Sequence, residues 1–433
     1  MSGRDHIIEI LNGALGIDAD EVIRLSGGAS RETWRASVDG QAVILQRQRV
    51  ADRAGFDREV SVLRAADAAG VPVPRLVASG IDDGGHGYVI TEAITGETIA
   101  RRILRDDALA HAREVLTGQI GAALARIHAI DPGDVDGLGA PDPLDRLRAT
   151  FDAMDEAHPA FEIAFRWLAE HRPAPVQPTV VHGDFRLGNL IVGPDGLRSV
   201  LDWELVHLGD PMEDLGWVGV RAWRFGAAGT VAGVGSDDEL FEAYEAAGGP
   251  AVDPARVRWW RVFGTLGWGV ICMMQARAHL SGVARSHELA AIGRRVCENE
   301  YDVLIEIGHR PPSPPVLEAA APSGLHDAPS GSELLDSVAE FLTDQVVPAH
   351  EGRLGFHARV AANIVSIVSR EVSLGPQLED RRQERLERLG VVDEADLAAQ
   401  IRSGVLGTPG AVVIDAVFES VIDKLLVANP RYL

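Results

Sequence analysis

The chain has 433 residues, 46% of them hydrophobic, and a formal net charge of −23. That length and apolar content allow two or three domains with sizeable cores, and the negative charge argues against nucleic acid or an anionic membrane as the main partner. Two cysteines, Cys272 and Cys297, are too few for a disulfide framework and read as packed thiols; with no basic stretch leading an apolar run in Met1 to Asp20, a cytoplasmic setting is expected.

In chain order, Glu21 to Leu25 reads as a strand. A Gly/Ser-rich loop follows, Ser26-Gly27-Gly28-Ala29-Ser30-Arg31-Glu32. Thr33 to Val38 alternates as a second strand, Asp39-Gly40 is a hairpin turn, and Gln41 to Arg47 is the third strand. Phe56 begins a helix that runs to about Ala69, where Val71-Pro72-Val73-Pro74 breaks it. Arg75 to Ser79 and Tyr88 to Thr91 complete a five-stranded meander, and Glu92-Ala93-Ile94 leads out of it.

Ala108 to His128 is a long periodic helix with Leu116, Ile120, Leu124 and Ile127 at helical spacing. Leu144 to Leu168 adds helical material. Val180-Val181 then enters a loop, His182-Gly183-Asp184-Phe185-Arg186-Leu187-Gly188-Asn189. Asn189 to Val192 reads as a short strand, Gly193-Pro194-Asp195-Gly196 as a turn, and Ser199 to Leu201 as the return strand, with Asp202-Trp203-Glu204 at its end. The spacing is that of a phosphoryl-transfer site: an Asp, an Asn five residues on, and a further Asp delivered by a hairpin. Asp184 has the chemistry to orient or deprotonate an attacking hydroxyl. Asn189 and Asp202 offer hard oxygen ligands suited to Mg²⁺ bridging ATP phosphates. Glu204 is a candidate for a water-mediated contact with that ion. Asp210 and Asp214 read as caps or braces for the helix that follows Pro211, and His128 and His182 as structural.

Together, His182 to Asn189, Asp202-Trp203-Glu204 and Gly209-Asp210-Pro211-Met212-Glu213-Asp214-Leu215 resemble the aminoglycoside phosphotransferase-related kinases, over about residues 5–308. The Asp-Trp-Glu and Gly-Asp-Pro details are most similar to the branch found beside or fused to acyl-CoA dehydrogenases. The resemblance implies an α+β, two-lobed protein-kinase-like fold. It also implies ATP- and Mg²⁺-dependent phosphorylation of a small-molecule hydroxyl, first a hydroxyacyl-CoA or related metabolite, alternatively an aminoglycoside or macrolide antibiotic. An acyl-CoA dehydrogenase is the implied protein partner. A non-catalytic nucleotide-binding protein is the rival class.

On that pattern Ser26, Gly28 and Ser30 would cover the ATP phosphates, and the backbone of Glu92 and Ile94 would meet adenine. A basic residue on the third strand, paired with a helix glutamate matched by Glu59, would hold the phosphates. Here the aligned position is Gln46, followed by Arg47, and Lys424 is the only lysine of the chain. Arg47 is the preferred replacement, with Gln46 itself and Arg49 as alternatives.

Trp259 to Met274 is the longest apolar stretch, interrupted by Arg261 and too short for a membrane span; it reads as a buried helix. Residues 237–305 read as several helices. Arg310-Pro311-Pro312-Ser313-Pro314-Pro315 opens a Pro/Ala-rich linker. Beyond it, Leu334 to Leu342, Val360 to Val372, Leu378 to Leu389, Ala395 to Leu406 and Gly410 to Val427 read as helices of a small all-α domain. Its ending, Lys424-Leu425-Leu426 with Asn429-Pro430, resembles an uncharacterised bacterial family that accompanies such phosphotransferases. The expected division is an ATP-binding lobe (1–94), a catalytic and acceptor lobe (95–308), a linker (309–332) and a docking or regulatory helical domain (333–433).

Overall fold

The computed structural model describes residues 3–16, 19–25, 31–140, 142–317, 326, 328–407 and 409–433. They form two compact units, residues 1–141 with 173–261 and residues 142–172 with 262–433.

The first unit is built on a five-stranded antiparallel sheet in the order β1-β2-β3-β5-β4: Asp20–Arg24, Arg31–Val38, Gln41–Gln48, Gly87–Glu92 and Leu76–Ile81. One face carries Trp34, Ala36, Val43, Leu45 and Ile90. It is closed by an N-terminal helix, α1 (Gly3–Leu15), through Ile7, Ile10 and Leu11. This helix was absent from the expected elements, although Ile7, Ile10 and Leu11 have helical spacing. Helix α2 (Arg53–Ala68), N-capped by Asp52, lies on the other face, where its Phe56 approaches Gly87 and Gln48. The chain leaves β5 through Ala93, whose amide bonds Ala42, and Glu97 then pairs with Val192.

Helix α3 (Ala110–His128) supports the catalytic-loop region. β6 (Thr179–Val181) pairs with β9 (His207–Gly209), and β7 (Leu190–Gly193) with β8 (Gly196–Val200). The β7–β8 hairpin is the expected one. The β6–β9 pairing joins the two ends of the loop region and has no local sequence signal.

The second unit is all helical. Leu144 to Leu168 forms two helices, Pro143–Asp152 and Pro159–Glu170, because Pro159 starts a fresh first turn. Helix Gly352–Leu389 is continuous through Pro376 and merges two expected helices into one. It packs with Gly331–Phe341 and Ala411–Ala428. Ala411–Ala428 in turn packs on Val296–Glu306, and Glu394–Ser403 on Pro159–Glu170. At the heart of this unit Glu300, almost wholly buried, accepts from His158 at 2.9 Å and from Lys424 at 3.5 Å. Burial alone would lower the His158 pKa, but the Glu300 charge outweighs it and raises the value to about 9.

Helix Pro254–Leu280 contains the apolar stretch, with Trp259, Val262, Leu266, Val270 and Met273 buried. Among the described residues no helix is long and apolar enough to cross a membrane. Burial pushes the Cys272 thiol up to about 12 and raises that of Cys297, so both behave as packed thiols.

Candidate active site

The loop from His182 to Asn189 is held by one buried carboxylate. Asp214 Oδ2 accepts from the amide of His182 at 2.9 Å, and Oδ1 accepts from the amide of Gly183 at 3.0 Å. Oδ2 also bonds His128 Nε2 at 3.1 Å, and His128 Nδ1 lies 2.7 Å from the Tyr244 hydroxyl. Burial works against the charge of Asp214, but His128 and the two amides hold its carboxyl below its ordinary value. Asp214 therefore braces the loop rather than capping its own helix. Asp210 does cap, accepting from the Met212 amide at 3.0 Å, and pairs with Arg256.

His182 is fully buried. Its Nδ1 accepts from the Asp184 amide at 3.2 Å, so its Nε2–H donates to the Leu201 carbonyl at 3.1 Å. Burial lowers its pKa and keeps it neutral. It ties the loop to the end of β8 and is structural, as its position suggested. Gly183 sits at φ 80°, and a Cβ there would lie 2.7 Å from the Leu205 carbonyl oxygen. Only glycine satisfies both demands.

Three donors converge on Asp184. Asn189 Nδ2 donates to its Oδ2 at 2.7 Å and to its backbone oxygen at 2.9 Å. Trp217 Nε1 donates to Oδ1 at 3.0 Å, and Arg186 Nε reaches both oxygens at 3.0 and 3.2 Å. The Arg186 guanidinium lies over the Trp223 ring, 5.0 Å from its centroid. Neither Arg186 nor Trp217 was among the expected site residues. Arg186 sits inside the motif, where it could have been noticed; Trp217 has no sequence signal.

Asp202 follows β8 with φ 66°, in the left-handed region that non-glycine residues rarely adopt. Its carboxylate is open to solvent on one side and crowded by protein on the other. That crowding, then Glu204 and Asp184, pushes its pKa up to about 6; Arg186 and Arg31 oppose the rise. Asp184, Asn189 and Asp202 are thus gathered at neighbouring ends of the β7–β8 hairpin.

The upper part of the site differs from the expected pairing. Arg47 and Glu59 are not brought together. Arg47 points to the α1 face of the sheet, where Nε donates to Asp82 at 2.6 Å and Nη2 lies 2.9 Å from His86 Nδ1. Strand alternation sends Arg47 there, on the face of Leu45 and Val43. Burial disfavours the Asp82 charge, but the His86 amide and Arg47 hold its carboxyl well below the usual range. Glu59 is paired instead with Arg31, the first residue of β2, at 2.5 Å. Burial raises the Glu59 pKa to about 7, against the pull of Arg31. Arg49 Nε donates to the Arg31 carbonyl at 3.3 Å. Glu92 accepts from the Arg75 amide at 3.3 Å at the end of β5, and Ile94 follows it, half-buried. Ser26, Gly28 and Ser30 lie outside the described residues.

Residues 21–260, more than half of the chain, match the model of the phosphotransferase enzyme family. The chain belongs to that family. A second model, a domain of unknown function (DUF6285), matches residues 348–432. This phosphotransferase is 29% identical over 237 residues to the mouse (Mus musculus) acyl-CoA dehydrogenase family member 10, covering 49% of this chain and 22% of that protein. The chain therefore spans about a quarter or less of that relative's length. Its fold resembles a Ralstonia eutropha protein proposed to be an aminoglycoside phosphotransferase, with TM-score 0.56, 22% identity, and coverage of 70% of this chain and 97% of the other. It also resembles a thermostable variant of an aminoglycoside phosphotransferase in ternary complex with AMP-PNP and hygromycin B, with TM-score 0.50, 17% identity, and coverage of 70% and 99%. The fold is kinase-like, and the family is that of kinase-type enzymes.

Proposed function

We propose that this phosphotransferase transfers the γ-phosphoryl group of Mg²⁺-bound ATP to a hydroxyl of a small molecule. The observation that carries the reading is the Asp184–Asn189 hydrogen bond beside Asp202. By donating through Nδ2 to Asp184, the Asn189 amide turns its Oδ1 away from that carboxylate. Asn189 and Asp202 would hold the metal. The donor set fits: both offer hard oxygen, and the carboxylates of Glu204 and Asp184, which add to the burial that raises the Asp202 pKa, favour a bound cation. Among the described residues no group of three or more His, Cys, Asp or Glu forms a metal cage. That suits Mg²⁺, which takes one or two protein oxygens alongside phosphates and water. Bound there, the ion would neutralise charge on the phosphates.

Asp184, anchored by Arg186, Trp217 and Asn189, accepts the hydrogen bond of the acceptor hydroxyl and fixes its line of attack. As the new O–P bond forms and the bond to the ADP oxygen breaks, Asp184 takes the hydroxyl proton. Positioning of this kind is most of what a loose phosphoryl-transfer transition state requires. For the acceptor we favour a hydroxyacyl-CoA or related metabolite, on similarity to an acyl-CoA dehydrogenase family member; such a dehydrogenase is then the natural partner. An aminoglycoside is the second reading, supported by the kinase-fold structure that holds hygromycin B.

The test is Mg²⁺-dependent ATP turnover with a panel of 3- and 4-hydroxyacyl-CoAs and aminoglycosides, wild type against Asp184→Ala. Turnover with one acceptor class that the variant abolishes supports the reading. ATP binding with no turnover on any acceptor points to a nucleotide-binding module.

A further inference from the structure

Kinase-like sites hold the ATP phosphates with a cation on the third strand, steadied by a glutamate on the helix behind it. This chain has no lysine before Lys424, and Arg47 is committed to Asp82 on the far face of the sheet. We infer that Arg31 is the phosphate-binding cation, moved from β3 to the adjacent strand β2 and clamped by Glu59. The inference rests on the ATP-dependent reading above.

Register carries the first part. Arg31 lies opposite Gln48, and Thr33 lies opposite Gln46. Residues directly opposite in an antiparallel pair share a face. Arg31 and Gln46 are therefore on one face, the α2 side, and Arg47 is on the other. Gln46 is the position where the family's base would stand. Arg31 is its diagonal neighbour across the strand pair, at a separation that a long side chain spans.

The chemistry of the fork carries the second part. Arg31 is 8% exposed. Nη2 lies 2.5 Å from Glu59 Oε2 as an ion pair, while the buried Nη1 has no hydrogen-bond partner among the described residues. A buried guanidinium nitrogen without an acceptor is costly, and a structural role alone leaves that cost unexplained. Arginine presents its donors in a rigid fork suited to phosphate oxygens. With one arm on Glu59, the other is aimed by the pairing itself. Glu59 plays the steadying role expected of it, with a different arginine.

Calorimetric titration of the full chain with AMP, ADP and ATP, each with Mg²⁺, tests this. In wild type, affinity should rise from AMP to ADP and ATP. Arg31→Met should lose about 10- to 100-fold on ADP and ATP, the worth of one or two charge-assisted hydrogen bonds, with AMP little changed. Arg31→Met/Glu59→Gln removes both charges together. It gives the same readout if the single variant, with its stranded carboxylate, fails to fold. Arg31→Met/Gln46→Lys should recover at least tenfold on ATP by returning the cation to β3. Equal losses on all three nucleotides, or no loss at all, overturn the inference, as does a loss of phosphate dependence in Arg47→Met but not in Arg31→Met. A wild type that binds none of the nucleotides overturns the ATP-dependent reading itself, and this inference with it.

Discussion

Replacing Asp214 by Asn tests whether one buried carboxylate holds the catalytic loop. The change keeps the shape and removes the charge and one acceptor. Asp214 receives three hydrogen bonds, two at Oδ2 and one at Oδ1. In the less costly orientation the new NH₂ faces the Gly183 amide and strands that buried donor, at about 1–3 kcal/mol. The bonds to His128 and the His182 amide fall from charge-assisted to neutral, at about 1 kcal/mol each. The total is about 3–5 kcal/mol, lost locally at the loop. Hydrogen exchange over residues 180–189, read by mass spectrometry, should show the His182 and Gly183 amides losing protection by about 100- to 5000-fold. Mg·ATP turnover should fall with it, because Asp184 follows those two residues. The wild-type pH dependence has a fixed sign: a depressed folded-state pKa contributes stability above the ordinary carboxylate range. That contribution disappears as pH falls through that range towards the folded value. A protection loss under about tenfold, roughly 1.4 kcal/mol, would refute the bracing role.

Gly183→Ala forces an L residue to φ 80° and its Cβ against the Leu205 carbonyl. It should cost about 1–2 kcal/mol for the dihedral alone, visible as a lowered melting temperature. Asn189→Asp sets a carboxylate where an amide donates to Asp184 at 2.7 Å. Turnover of Mg·ATP with its acceptor should drop on the order of 100-fold, as when one preorganised donor is lost. In the second unit the His158 pKa is raised to about 9 by Glu300 against the effect of burial. Its stabilisation is complete below the ordinary histidine value and is lost as pH rises through about 9. Chemical unfolding should show a decline on the order of 2–3 kcal/mol between roughly pH 6.5 and pH 9 that is missing in His158→Gln.

The catalytic loop was legible because its information is local. Asp184, Asn189 and Asp202 lie within one loop and one hairpin, and their spacing carries the geometry. The strands of the sheet were legible by alternation, and alternation also announced that Gln46 and Arg47 diverge. It could not say which face holds α2, because that is decided by the packing of Ile7, Ile10 and Leu11 on the opposite side. Without the face, Arg47 reads in sequence as the partner of Glu59, and Arg31 as the end of the Gly/Ser loop before the second strand. The Asp214–His128–Tyr244 chain joins residues 86 and 116 positions apart; no periodicity reports such contacts. In the second unit two helices were expected, Val360 to Val372 and Leu378 to Leu389, yet one helix, Gly352–Leu389, runs through Pro376, since packing along its length outweighs one lost hydrogen bond.

The amine inventory has a practical corollary. Reagents that deliver an acyl group from a nucleotide phosphate to a nearby lysine are a common way to survey ATP sites in cell extracts. Such a survey would find no lysine among the residues of the first unit, since the single lysine, Lys424, belongs to the second, where it pairs with Glu300 and Glu394. A dicarbonyl reagent selective for guanidinium groups, competed with nucleotide, would be the informative label. Lys424 is itself a poor handle for amine reagents, because acylation would strip the cation from its ion pair with the buried Glu300.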